Sequence, residues 1–221
     1  MPNINTSWDF ELDAVHTYAW RSEVFSKEEC EKIIKIAKET GMVEAVTHDG
    51  KTDIRVSNVS WLYPIDELHW AYRKITDHVL ALNKKYFKFD VSGINEGFQF
   101  TNYKAPSGNY GKHVDRSHNF VIRKLSLSIQ LSDPKDYEGG DLCLYESDKS
   151  KIMKKDQGTL ILFPSFILHE VTQVTKGERM VCVGWIESQI PRDDDRESLY
   201  LLNKGISDLT KQSGNTPAIQ Y

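Results

Sequence analysis

No apolar run in this chain of 221 residues approaches the roughly 20 residues of a membrane-spanning helix. Met1 to Asp9 lacks the basic-then-apolar pattern of a secretory leader. The three cysteines, Cys30, Cys143 and Cys182, are odd in number and set inside apolar patterns. They read as buried free thiols in a reducing compartment and argue against a disulfide framework or a zinc site. No charge of either sign dominates: the formal net charge is -4 and the pI near 6.0, so no global attraction to nucleic acid is expected. Internal repeats, low-complexity linkers and composition breaks are also missing. The expectation is one cytoplasmic domain over residues 1–221, with no membrane partner.

What remains is an ordinary globular composition, 39% hydrophobic and 27% charged, with 11% aromatics that suit a β-rich core. Residues 1 to about 20 carry Trp8, Phe10, Tyr18 and Trp20 and could add an edge strand. Ser26-Lys27-Glu28-Glu29 has the form of a capping box. Cys30, Ile33, Ile34 and Ala37 then fall on one helical face, and Gly41 stops the helix. Arg55 to Tyr63 reads as extended. Asp66 is placed to cap a second helix with the stripe Leu68, Ala71, Tyr72, Ile75, Val79 and Leu82.

From residue 96 the period changes to two. Phe98 and Phe100 alternate with Gln99, Thr101 and Tyr103. Residues 105–111 form a loop. Leu125, Leu127, Ile129 and Leu131 alternate with Ser126, Ser128 and Gln130. Further strands are predicted at 142–145, 159–163 and 179–186. Gly139-Gly140 reads as turn geometry, and the basic run 149–155 as a solvated loop. Asp193 or Asp194 would cap a last helix with Leu199, Leu202, Ile206 and Leu209 on one side, weakened by Gly205. Helices, then about six to eight short strands, then a helix predict an α+β, mainly β domain built on a sandwich or barrel. Its parts are helical support over about 20–90, a β core over about 95–190 and a C-terminal helix and tail over 193–221.

The chemistry concentrates in His113-Val114-Asp115, His169 and Arg179. Side chains two apart in an extended segment share a face, so His113 and Asp115 can offer a nitrogen and an oxygen to one ion. His169, on a distant strand, can supply a third corner. Two imidazoles and one carboxylate make the facial triad of non-haem Fe(II), with positions left open. Alone, His-x-Asp is a weak motif. His16, His48, His69, His78 and His118 show no such arrangement, although His118 could line the entrance. Arg179, on a later strand with Val181, Val183 and Trp185 on its face, is a fixed donor fork suited to a carboxylate. Read alone, it could equally be a surface charge, and Tyr103 and Trp185 plain core aromatics.

Taken in order, Tyr103, Gly108, Tyr110, His113, Asp115, Tyr137-Glu138-Gly139-Gly140-Asp141-Leu142, Phe163-Pro164-Ser165, His169, Arg179 and Trp185-Ile186-Glu187-Ser188 resemble the Fe(II)- and 2-oxoglutarate-dependent oxygenases. Within them the series resembles the prolyl 4-hydroxylase-like group, and there the PKHD-type hydroxylases. Arg55-x-Ser57 with Trp61-Leu62 also fits that group. The resemblance runs from about residue 20 to about 210. It implies a double-stranded β-helix, or jelly-roll, with supporting N-terminal helices and a C-terminal helix. It implies Fe(II) on His113, Asp115 and His169, with 2-oxoglutarate and O2 as co-substrates and ascorbate as a supporting reductant. Arg179 would pair with the distal carboxylate of 2-oxoglutarate, and Tyr103 would bind co-substrate or substrate. Related enzymes place a tyrosine near Gln130 against 2-oxoglutarate, and this chain has none there.

The implied reaction is hydroxylation of an aliphatic C–H bond, with release of succinate and CO2. The resemblance favours a prolyl residue of a protein or peptide, held in a groove shaped by residues 42–60 and 104–112. Alternatives are a free amino acid or other small metabolite and, in another class, a non-catalytic jelly-roll binding module. AlkB-like action on nucleic acid is disfavoured, because Trp185 stands where that family has its second arginine.

Overall fold

A computed structural model of the chain describes residues 16–45, 54–65, 67–115, 123–146, 149–190, 202, 205, 206 and 208–210. Helix α1, Lys27–Thr40, opens on the expected box: the Ser26 hydroxyl accepts from the Glu29 backbone N–H, and the Glu29 carboxylate accepts from the Ser26 N–H. Gly41 closes it at φ 95°. Its buried face is Cys30, Ile33, Ile36 and Ala37, so Ile36 takes the place expected of Ile34. Helix α2, His69–Leu82, buries Ala71, Ile75, Val79 and Leu82. The residue before it, Leu68, makes no side-chain cap; Asp66 lies outside the described residues. Lys74 of α2 pairs with Glu29 of α1 at 2.8 Å, tying the two helices together.

The strands are β1 (Ala19–Arg21), β2 (Val43–Glu44), β3 (Arg55–Val56), β4 (Asn58–Leu62), β5 (Val91–Gly93), β6 (Phe98–Lys104), β7 (Asn109–His113), β8 (Arg123–Gln130), β9 (Tyr137–Gly139), β10 (Leu142–Glu146), β11 (Lys149–Ile152), β12 (Leu160–Pro164), β13 (His169–Val171) and β14 (Val174–Ser188). That is more than the about six to eight expected from patterning. Two- and three-residue strands are too short to show a period of two. The larger sheet runs β1-β12-β8-β14-β6-β4-β2, with β5 and β9 also on β14. The smaller runs β11-β10-β13-β7-β3. All the pairings in both sheets are antiparallel. Two such sheets with helices on one of them make the jelly-roll the sequence implied.

Alternation along the central strands sorts side chains into two cores. Leu125, Leu127, Ile129, Leu160, Leu162, Phe98, Phe100 and Cys182 pack with the faces of α1 and α2. Their neighbours on the opposite face, Ile161, Phe163, Tyr103 and Val181, pack with Leu142, Leu144 and Val171 of the smaller sheet. A one-residue slip would exchange the two sets, so register is fixed by burial on both faces.

Three expectations are corrected. The run 149–155 is not a loop throughout, because β11 pairs with β10 over Lys149–Ile152. It is an exposed edge, and its lysines discourage further strand addition. The loop 105–111 gives way earlier than expected, since β7 begins at Asn109. In the C-terminal segment, residues 202, 205, 206 and 208–210 are helical, but Leu202, Ile206 and Leu209 are exposed rather than packed. Trp8, Phe10, Asp193, Asp194 and Leu199 lie outside the described residues.

Candidate metal and co-substrate site

β7 and β13 are antiparallel neighbours, and His113 and His169 are direct partners across them. Asp115 follows the end of β7, where its backbone N–H donates to Ser165 O at 3.0 Å and pins the turn. Nε2 of His113 lies 3.6 Å from Asp115 Oδ1, and Nε2 of His169 lies 3.6 Å from Oδ2. The three ligand atoms fall within 4.8 Å of one another. Neighbouring ligands at about 2.1 Å from an ion stand roughly 3 Å apart, so small side-chain rotations would close the set. Each imidazole spends its Nδ1 on a backbone carbonyl: His113 on Gly111 O at 2.7 Å and His169 on Ile167 O at 2.9 Å. That fixes the tautomer and leaves the Nε2 lone pairs facing Asp115.

The protonation states suit a cation. Burial, with His169 close by, pushes the His113 imidazole down to about 4, so it is neutral at pH 7. Burial would raise the Asp115 carboxyl, but the two histidines and the hydrogens of Ser126 and Trp185 outweigh it, and its value is lowered. Trp185 Nε1 is turned to that carboxylate but lies outside strict hydrogen-bond geometry, so it acts there as an oriented dipole. One buried carboxylate with two imidazoles whose Nε2 atoms face it is a donor set that fits a divalent ion such as Fe(II).

Arg179 lies on β14 directly across from Tyr103 on β6. It is 3% exposed, its guanidinium carbon sits 5.7 Å from the Tyr103 ring, and its Nη1 is buried without a hydrogen-bond partner. No carboxylate pairs with it among the described residues. An always ionised group left in that state calls for an anion. Tyr103 stands in the field of both Arg179 and Asp115, and burial raises its phenol. Tyr103 therefore lies within reach of both charged ends.

Several residues assigned no specific role from the sequence lie around the site. Arg55, singled out only as part of Arg55-x-Ser57, is buried. It donates from Nε to Ser57 Oγ at 3.0 Å and from Nη2 to Gln99 Oε1 at 2.7 Å, and lies 4.6 Å over the Tyr110 ring. Tyr110 stacks on His113 at 3.5 Å. Arg123 forks onto Glu96 at 2.7 and 2.5 Å and lies 3.7 Å over the ring of Trp185, itself 6.3 Å from Trp61. Tyr137, on β9, lies in the field of Arg179, and burial raises its phenol. Gly140 does more than turn the chain. At φ 62° a Cβ there would stand 3.2 Å from Arg179 Cδ, so glycine leaves room for the arginine stem. His16 packs its ring edge-on against Tyr86, away from the site, and His48 and His118 lie outside the described residues.

A jelly-roll with this donor set between its sheets defines a class, that of the mononuclear non-haem metal oxygenases. The profile described as "2OG-Fe(II) oxygenase superfamily" matches residues 98–187. A PKHD-type hydroxylase of Prochlorococcus marinus strain MIT 9211 is 32% identical over 197 residues, 88% of this chain and 89% of that protein. One from strain MIT 9303 is 41% identical over 132 residues, 59% of this chain. That match spans only 54% of the relative's own length, about half. Among solved structures, a Pseudomonas putida prolyl-4-hydroxylase superimposes with a TM-score of 0.64 at 21% identity, covering 80% of this chain and 95% of that one. A Trichoplax adhaerens prolyl hydroxylase in complex with a peptide fragment of the hypoxia inducible factor oxygen degradation domain gives 0.67 at 15%, covering 80% and 86%. At those identities the likeness is one of fold. The chain belongs to the 2OG-Fe(II) oxygenase superfamily, among its PKHD-type hydroxylases.

Proposed function

We propose that the protein is an Fe(II)- and 2-oxoglutarate-dependent hydroxylase acting on a prolyl residue of a protein or peptide. The observation that carries the reading is a pair of buried groups: the His113–Asp115–His169 cluster, and an Arg179 guanidinium that has no ion-pair partner among the described residues. A divalent ion answers the first and a dicarboxylate the second. The intact ligand set weighs against a non-catalytic binding module.

His113, Asp115 and His169 would hold the iron. Bound there, Fe(II) supplies dioxygen activation coupled to the oxidative decarboxylation of 2-oxoglutarate. The chain's own work is placement. Arg179 would anchor the distal carboxylate of 2-oxoglutarate, with Tyr103 beside it, and so fix the direction of the 2-oxo acid end. Trp185, Trp61 and Arg123 would wall the pocket and keep water out. Fixed Nδ1 hydrogens on His113 and His169 would hold both rings in ligating orientation through the cycle.

The prolyl assignment draws on the fold likeness to prolyl hydroxylases, one of them solved with a peptide fragment. It also draws on exposed apolar side chains near the ligands, which suit an apolar ring: Val114, Phe166 and Leu168 beside them in sequence, and Ile54 and Val56 on the segment paired with β7. The buried free thiols support a reducing compartment such as the cytoplasm. Incubation of candidate prolyl peptides with the protein, Fe(II) and 2-oxoglutarate should give a gain of one oxygen at proline, matched by succinate. A product oxidised elsewhere, or only on a free amino acid, would replace the prolyl reading with the small-metabolite one.

A further inference from the structure

We propose that Tyr137 is the second donor to the distal carboxylate of 2-oxoglutarate, and that Gln130 sets the direction of its hydroxyl hydrogen. The proposal rests on the assignment of Arg179 above. It begins with the amide of Gln130, which is buried on β8. Gln130 Nε2 donates to Ser132 O at 3.1 Å and to Tyr137 Oη at 3.1 Å. A backbone carbonyl only accepts, so the nitrogen and not the oxygen of the amide must face it. Both amide hydrogens are then spent, and Tyr137 Oη is an acceptor from Gln130.

Tyr137 pairs with Gly177 of β14, two positions before Arg179 and on the same strand face, so its phenol lies in the field of that guanidinium, which is all donor. The phenol oxygen accepts from Gln130 and has an all-donor group for its other neighbour, so its one hydrogen can be received by neither. Among the described residues no side chain or carbonyl accepts it. Asp141 is near enough to raise the phenol's value electrostatically, but it does not reach: its Oδ1 is buried without a partner, and it makes no ion pair with Arg179. Tyr137 is 4% exposed, so water is a poor substitute.

Two neighbouring buried donors, the Tyr137 hydroxyl and Arg179 Nη1, thus have no acceptor among the described residues. A carboxylate is the group that satisfies both, because its two oxygens offer about four lone-pair sites and no hydrogens. Arg179 supplies the charge. Tyr137 supplies the second hydrogen bond, delivered from β9 seven positions beyond Gln130. Gln130, which is not a tyrosine, becomes the residue that aims one.

The test is anaerobic titration of the Fe(II)-loaded protein with 2-oxoglutarate, read by the visible charge-transfer band. A parallel series uses 2-oxopentanoate, a 2-oxo acid of equal length without the distal carboxylate. Tyr137→Phe should weaken 2-oxoglutarate by about 10- to 100-fold, the value of a hydrogen bond to a charged group. It should leave 2-oxopentanoate within about twofold. Gln130→Leu should give a smaller loss, and the double variant no more than Tyr137→Phe alone. The 2-oxoglutarate-induced rise in melting temperature should fall in the same order. Wild-type binding by Tyr137→Phe, or equal weakening of both acids, overturns the assignment of Tyr137. An unchanged Gln130→Leu overturns the orienting role. Absence of any band in the wild type would instead sink the co-substrate reading on which this one rests.

Discussion

The metal end of the pocket and the guanidinium end are built from different kinds of strand. His113 and His169 lie on strands of five and three residues in the smaller sheet, at the last and first position of each. Their ring directions come from local backbone carbonyls two residues away. Arg179 and Tyr103 lie within strands of fifteen and seven residues in the larger sheet, and are aimed by register with β8 and β9. On the function proposed above, one end holds a negative charge for a dication and the other a positive charge for a carboxylate. In each case the metal- and ligand-free protein bears a desolvation cost that binding returns. Breaking either end should therefore abolish or weaken function while sparing the fold. The largest effect belongs to the metal end. His169→Ala or Asp115→Ala should lower 2-oxoglutarate-dependent succinate formation by more than about 100-fold, above what loss of an outer partner costs. Stoichiometric Fe(II) binding should be lost with it. Near-wild-type turnover in either variant would remove that residue from the ligand set.

Arg179→Met tests the other end. Truncating one partner of a buried charge pair costs about 2–5 kcal/mol, so the 2-oxoglutarate concentration for half-saturation should rise by at least tenfold. In the ligand-free state the same change removes a buried charge that has no ion-pair partner among the described residues. The melting temperature of the metal- and ligand-free protein should then be no lower than wild type, and higher if the methionine packs well. A clear drop in that melting temperature would mean that Arg179 holds the fold together and would undo the contrast between the two ends.

How the two ends were legible also differs. The proposed triad could be read from the sequence because two of its members are two residues apart and the third closes the apolar run Phe166-Ile167-Leu168. Ser26-Glu29, the stripe of α2 and the alternation of Leu125 to Gln130 are likewise local patterns, and each produced the element expected of it. The surroundings of Arg179 were not legible. Tyr137 meets it from a three-residue strand, and Gln130 reaches Tyr137 only because β8 and β9 both pair with β14. Arg55 joins Gln99 across 44 positions, and Arg123 joins Glu96 across 27. Such pairs leave no periodic trace. β11 was missed for a related reason, since an edge strand rich in lysine has the composition of a loop.

Acid should expose the metal end next. Burial holds His113 at about 4, against 6.5 for a free imidazole. As pH falls below 6.5 the unfolded chain takes up that proton first, so protonation favours unfolding. Stability of the metal-free protein should be level above about pH 6.5 as far as His113 is concerned. It should then fall by up to roughly 3 kcal/mol towards pH 4. His78 is lowered by burial as well and adds to the slope. Thermal melts of wild type and His113→Gln separate the two, because only the share due to His113 disappears in the variant. Parallel curves would mean that the ring is not held neutral by its setting.

The smallest effects should fall on the guanidinium end's support and on a helix remote from both. Gly140→Ala places a Cβ 2.8 Å from Val174 Cγ2 and 3.2 Å from Arg179 Cδ, at a φ of 62° that side chains rarely adopt. The expected cost is about 1–3 kcal/mol of stability. Because one of the two crowded atoms belongs to the Arg179 stem, 2-oxoglutarate binding should weaken severalfold while Fe(II) binding is kept. Ser26→Ala is the counterpart without a path to the site. It removes the hydroxyl that accepts from Glu29 N–H and should cost about 1 kcal/mol in denaturant unfolding. The 2-oxoglutarate requirement should not move. If Ser26→Ala shifted that requirement as far as Gly140→Ala does, the shift would report loss of stability alone. Gly140 would then have no special claim on the arginine it touches.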